Sequence, residues 1–140
     1  MKIETLSFKR YYAYDLSLSG ITVPVALHWG GCETELKAKV DCGSSACIFS
    51  RNYGEDLGLD IERGRPQRFD TVTGSFLTYG HEVTLSVLEI EYVTMVYFAA
   101  DPAYLRNVLG RQGWFDRSRF GLVDYDGKLF LSDYNDPNES

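Results

Sequence analysis

The chain has 140 residues, 44% of them hydrophobic, with thirteen glycines, ten tyrosines and eight phenylalanines. This suits one globular domain with an adequate core, and an aromatic, glycine-punctuated chain without Ala/Leu/Glu/Lys tracts favours β structure. A formal charge of −6 and a pI near 4.8 exclude a general nucleic-acid surface, which needs clustered Lys and Arg.

Residues 1–20 alternate apolar and charged positions and lack the apolar core of a signal peptide, so they read as an N-terminal strand segment. Nowhere do about 18 apolar residues run together, so no membrane-spanning helix is expected. Cys32, Cys42 and Cys47 form an odd set without CxxC spacing, which indicates neither a zinc site nor a disulfide framework. A reduced, cytoplasmic protein without metal or cofactor is the simplest expectation.

Period-two segments follow. Residues 21–29 and 34–40 flank Gly30 and Gly31 and predict a hairpin, with Pro24 placing the first strand near an edge. Ser50 is placed to cap a short helix over residues 51–58 that Gly58 would stop. The group Arg63, Arg65 and Arg68 reads as a solvated loop. Val83, Leu85 and Val87 alternate with Thr84 and Ser86, and a change of phase near Leu88 predicts a bulge or a turn over residues 89–92. Another strand follows at residues 93–100, and a second short helix is predicted after Gly110.

Asp126 and Gly127 supply the turn of a last hairpin within residues 120–132. Residues 132–140 read as a polar, frayed tail. The expected architecture is a mostly antiparallel, all-β domain with one or two short helices. Residues 39–43 and 107–110 also echo each other, each driving an apolar strand into a glycine.

The segment Val40, Asp41, Cys42, Gly43, Ser44, Ser45 has an acid where a strand ends, on a turn of small residues. With Leu57, Gly58, Leu59 downstream and Val108, Leu109, Gly110, Arg111 later, it resembles the retropepsin-like aspartic proteases. The resemblance covers residues 21–131. It implies a closed antiparallel acid-protease β domain, with Asp41 catalytic, Cys42, Gly43, Ser44 and Ser45 supporting it, and Leu109, Gly110 and Arg111 as a structural second motif. Thr73, Gly74 and Ser75 fall where the family places the tip of its flap, a β-hairpin over the substrate. Because the second half offers no acid, the resemblance implies a homodimer in which two copies of Asp41 act on a peptide or protein substrate, with no nucleic acid or membrane involved. The terminal segments are then candidate contacts between subunits.

Two departures stand out. Cys42 replaces the usual Thr or Ser, whose hydroxyl bonds across the dimer in the family. A thiol is larger and a weaker donor. This motivates an alternative, a non-catalytic peptide-binding or dimerisation module. Ser45 replaces an acid that in the retroviral subgroup pairs with the Arg of the second motif, so Arg111 needs another partner, with Asp116 or the Asp41 loop as candidates. The remaining residues read blandly: His28 and His81 have no partner at metal or nucleophile spacing, Tyr79, Tyr92 and Tyr97 pack on strands, and no GxSxG surrounds Ser44 and Ser45.

Overall fold

The computed structural model describes Met1 and residues 3–137. Strands β2 (Thr22–Trp29) and β3 (Cys32–Val40) form the first hairpin, with Trp29 opposite Cys32. Its turn is Gly30 and Gly31, with φ of 57° and 81°. Two successive positive φ angles match the twist of the flanking strands, which is why two glycines stand here. Alternation drives Val23, Val25, Leu27, Leu36 and Ala38 into the core. Pro24 sits just beyond the stretch of β2, residues 25–28, that also pairs with β6, so its missing N–H breaks no ladder on that side.

Strands β5 (Arg65–Thr71), β6 (Gly74–Val87) and β7 (Ile90–Ala99) make a meander. The group read as a solvated loop is mostly strand: Arg65 and Arg68 lie on β5, while Arg63 ends a single 3-10 turn. The β5–β6 turn is Val72 and Thr73, and pairing of β6 with β7 begins only at Thr78. Residues 68–77 therefore project as a two-stranded arm beyond the sheet. The β6–β7 turn is Leu88 and Glu89, with φ of 50° and 67°. It is a tight turn at the change of phase, beginning one residue before the expected window of 89–92, of which residues 90–92 already belong to β7. It is made by residues that rarely adopt such angles.

Two short strands complete this sheet. β4 (Ile48–Phe49) runs parallel to β7, and β8 (Val108–Leu109) runs parallel to β3, with Ile48 opposite Val108. The strand order is β2-β3-β8-β4-β7-β6-β5, and the extra β2–β6 pairing folds the sheet back on itself. The pairing is mostly antiparallel, and the parallel β3–β8 pair joins the two segments that echo each other in sequence.

The second sheet has the order β1-β10-β9, built from β1 (Arg10–Ala13), β9 (Ser118–Val123) and β10 (Lys128–Asp133). In the β9–β10 turn only Gly127 has positive φ, after a 3-10 turn over Asp124–Asp126, so the loop is longer than a two-residue hairpin. β10 runs past residue 131, Ser132 is fully buried, and Asp136 is fixed by Arg119. The segment read as a frayed tail is thus structured through these residues; positions 138–140 lie outside the described residues. β10 is paired on both sides, so it offers no free edge for another subunit.

One core joins the two sheets. Leu27, Leu85, Phe49, Phe98, Leu109, Trp114, Leu129 and Leu131 have no exposed surface. Full burial of a large apolar side chain stabilises by about 1.5–3 kcal/mol. Helix α1 (Arg51–Asp56) packs between β3 and β7. Ser50 precedes it, but its hydroxyl does not cap the helix. It donates to the Tyr104 carbonyl at 3.1 Å instead, tying the helix start to the approach to β8. Gly58, at φ 81°, ends the helix as expected. After Gly110 only one 3-10 turn forms, Phe115–Arg117.

Candidate active site

The candidate site is built where β3 and β8 end side by side. Lys39 pairs with Val108 and Val40 with Leu109, which brings Asp41 level with Gly110. The Asp41 N–H donates to the Leu109 carbonyl at 3.0 Å, and the chain then turns, with Ser44 N–H donating to the Asp41 carbonyl at 3.1 Å. The Gly43 N–H donates to Asp41 Oδ1 at 2.9 Å. This aspartate-turn geometry holds one carboxylate oxygen and leaves the other free. A Cβ on residue 43 would lie 3.2 Å from that Oδ1, so glycine lets the backbone approach its own acid.

The second loop crosses the first in close contact. Arg111 N–H donates to Ser44 O and Gln112 N–H to Ser45 O, both at 2.9 Å. A Cβ at Gly110 would stand 2.1 Å from the Ala46 carbonyl oxygen, so only glycine fits. Beneath them the Cys47 thiol receives the Gly110 N–H at 3.4 Å. Burial pushes this thiol up to about 12, more than the Gly110 hydrogen bond lowers it. A thiol so protonated is no nucleophile at neutral pH. Cys42, in contrast, is exposed at the outer corner of the turn, and among the described residues its thiol makes no hydrogen bond.

Asp41, Gly43, Ser44 and Ser45 open onto a cleft of about 520 Å³. Its far wall is the β5–β6 arm, through Arg68, Phe69, Asp70 and Phe76, and Tyr104, Arg106, Ile48 and Val108 line the remainder. Phe69 pairs directly across the arm with Phe76. Phe76 stacks on Tyr104 with centroids 4.8 Å apart and planes 19° apart, while Phe69 meets Tyr97 edge-on at 5.3 Å. These rings and Ile48, Ala46 and Val108 make a small apolar cluster separate from the main core. Burial raises the Tyr104 hydroxyl above its ordinary value, against a smaller lowering by the Arg106 charge. Arg106 lines the same cleft as this aromatic wall.

Not every expected residue meets here. Thr73 lies in the turn at the tip of the arm with Val72, while Gly74 and Ser75 already belong to β6; the Thr71 hydroxyl donates to the Gly74 carbonyl at 2.9 Å. Leu109 is fully buried. Arg111 is exposed, and among the described residues its guanidinium makes no ion pair. The pairing expected with Asp116 is not made: Asp116 Oδ1 accepts from the Gly113 N–H at 2.9 Å, and Arg111 meets the Asp41 loop through its backbone N–H on Ser44 O. His81 bonds the Ile61 carbonyl at 2.9 Å and His28 faces Glu33 at 3.8 Å, both away from the cleft. Tyr92 and Tyr79 pack with the main core. Among the described residues no group of three or more His, Cys, Asp and Glu could hold a metal ion, and no helix is long and apolar enough to cross a membrane.

No protein-family model matches the chain, and no curated protein does. Among solved structures it is similar to EIAV protease complexed with the inhibitor HBY-793. The likeness has a TM-score of 0.52 and spans 66% of this chain and 83% of that one, at 21% identity. The fold is retropepsin-like. Within it, Asp41 stands where a strand of the sheet runs out into an open cleft.

The sequence patterns missed the cleft's aromatic wall and Arg68 and Arg106, which belong to no motif. One signal was available. Placing the arm's turn at Val72 and Thr73 would have set Phe69 opposite Phe76.

Proposed function

We propose that the protein is an aspartic endopeptidase that works as a homodimer on an extended peptide. The observation that carries this reading is the free edge of the Asp41 carboxylate in an open cleft, beside a Gly110 whose position admits no side chain. A second acid cannot come from the echoing loop of the same chain. Asp41 of the partner subunit supplies it in this reading, across a two-fold axis.

In the proposed mechanism the two carboxyls share one proton, because two like charges in contact cannot both ionise cheaply. The ionised member takes a proton from water, whose oxygen bonds to the scissile carbonyl carbon. The protonated member gives its proton to the carbonyl oxygen. As the tetrahedral diol collapses, one of its hydroxyls returns a proton to the ionised member while the C=O re-forms and the C–N bond breaks. The amine nitrogen takes the proton of the other member, so the pair ends with one shared proton. The β5–β6 arm would hold the substrate backbone as an added strand, and the Phe69, Phe76 and Tyr104 wall would receive an apolar side chain. Three free cysteines suit a reducing compartment such as the cytoplasm.

Asp41→Asn should abolish hydrolysis of a peptide library while leaving the protein folded. Asp70→Asn should retain it, since Asp70, the other described acid of the cleft, sits on the arm. Full activity in purified Asp41→Asn would sink the proposal, as would a strict monomer at high concentration in sedimentation.

A second reading rests on Cys42. With a thiol in place of the family's hydroxyl, the chain would be a peptide-binding or dimerisation module without chemistry. Binding without cleavage in the same library selects it, and cleavage blocked by a statine-type transition-state mimic removes it.

A further inference from the structure

The chain contains nine arginines in a protein of net charge −6. Five guanidiniums are engaged within the fold: Arg10 with Glu89, Arg51 with Glu55 and Glu62, Arg63 with Asp60, Arg117 with the Val93 carbonyl, and Arg119 with Asp136. Among the described residues, those of Arg65, Arg68, Arg106 and Arg111 have no hydrogen bond and no ion pair. Three of these four surround the Asp41 loop. Arg68 and Arg106 line its cleft, and Arg111 lines the adjoining hollow that shares Ser45. An acidic protein has thus left three of its four free guanidiniums around the Asp41 loop, two of them in a cleft that also holds an aromatic cluster.

We infer that this site takes an acidic peptide: a central apolar residue flanked by Asp or Glu. The inference rests on the proposed function for the fate of the peptide, though not for its binding. A guanidinium presents a planar fork of donors that matches a carboxylate two-to-two, and a low-dielectric wall strengthens the attraction. The aromatic cluster supplies that wall, with Phe76 stacked on Tyr104 and Arg106 lining the same cleft. Arg68 stands on the arm and Arg106 in the segment before β8, and both line the cleft, so a strand laid along it offers side chains to both. Asp70, also in the cleft, opposes an acidic ligand. The flanking acids are therefore placed at Arg68, Arg106 and Arg111, and Asp70→Asn should tighten binding.

The test uses full-length Asp41→Asn protein and a fluorescein-labelled peptide with a Phe-Leu centre flanked by glutamates, beside its glutamine counterpart. Anisotropy should show the glutamate peptide binding about tenfold tighter at low salt, with the gap narrowing as salt rises. Arg68→Gln with Arg106→Gln should close the gap and leave the glutamine peptide unaffected. The matching Lys pair should restore part of it, because charge returns without the fork. Equal affinity for the two peptides would overturn the inference. So would a preference that survives the Gln pair, displacement by single-stranded DNA of equal charge, or a shift in sedimentation in place of affinity.

Digestion by the parent protein separates the two proposals. A preference for acidic peptides without cleavage removes the peptidase reading and leaves this one. Cleavage indifferent to flanking acids does the reverse.

Discussion

Gly110 and the Ala46 carbonyl approach so closely that a Cβ on residue 110 would lie 2.1 Å from that oxygen. The contact is backbone against backbone, so no side chain can swing aside. Gly110→Ala must part the loops that Arg111 and Gln112 hold against Ser44 and Ser45. Overpacking of this kind destabilises by about 3 kcal/mol, and denaturant unfolding should read it. Loss of peptide binding should exceed that of a surface Gly58→Ala control, since the parted loop is the one that carries Asp41.

The Leu88 and Glu89 turn predicts the opposite sign. Both residues hold positive φ, which costs a side-chain-bearing residue roughly 1–2 kcal/mol. Glu89→Gly relieves one of the two, less the chain entropy that glycine adds. A net gain of about 0.5–1 kcal/mol is expected in chemical unfolding, because the pair lost, Arg10 to Glu89 at 3.9 Å, is exposed and contributes little. Leu88→Gly should not stabilise, since Leu88 packs against the core.

The cysteines differ by environment. Cys32 and Cys42 are exposed, and Cys47 is buried with its thiol raised to about 12. Iodoacetamide on the native protein at neutral pH should therefore label Cys32 by mass spectrometry, and Cys42 to the extent that the subunits are dissociated, as on dilution. The label on Cys47 should appear only in denaturant. Labelling of Cys47 in the folded protein would contradict the close packing under Gly110.

Asp136 gives a pH dependence. Burial alone would raise its carboxyl, but hydrogen bonds from Ser132 and Lys9 and the charges of Lys9 and Arg119 outweigh it and hold it below the ordinary range. A group lowered by folding stabilises the protein above the unfolded value and loses that contribution as pH falls through the folded one. Thermal unfolding of the parent and Asp136→Asn should therefore differ at neutral pH and converge below about pH 4. A difference that persisted in acid would mean that the contribution is steric.

Some of this was legible in the sequence. Gly30 and Gly31 announce their turn because only glycine takes two positive φ angles without strain. The Asp41 loop was readable for a similar reason, since small residues beside an acid at a strand end leave few other uses. The Leu88 and Glu89 turn was displaced because tertiary pairing imposes it on residues without turn chemistry. β1 was readable as a strand, though not its partner β10, since pairing across more than a hundred residues leaves no local trace. Arg68, Arg106 and the Phe76–Tyr104 stack are joined by topology alone. The ion pair expected of Arg111 with Asp116 does not form, and that carboxylate instead receives the N–H of Gly113 in its own loop.

The guanidinium of Arg119 donates to the Ser7 carbonyl at 2.7 Å and to the Asp136 carbonyl at 2.9 Å. Residues near the two ends of the described chain therefore meet at one side chain. A short flexible linker between them would close the backbone into a ring, and new ends could be opened at Gly30 and Gly31, where an added Cβ meets nothing within 4 Å. Circular permutation is tolerated at exposed turns of this kind. The order in which the elements are synthesised is then separable from the order in which they pack.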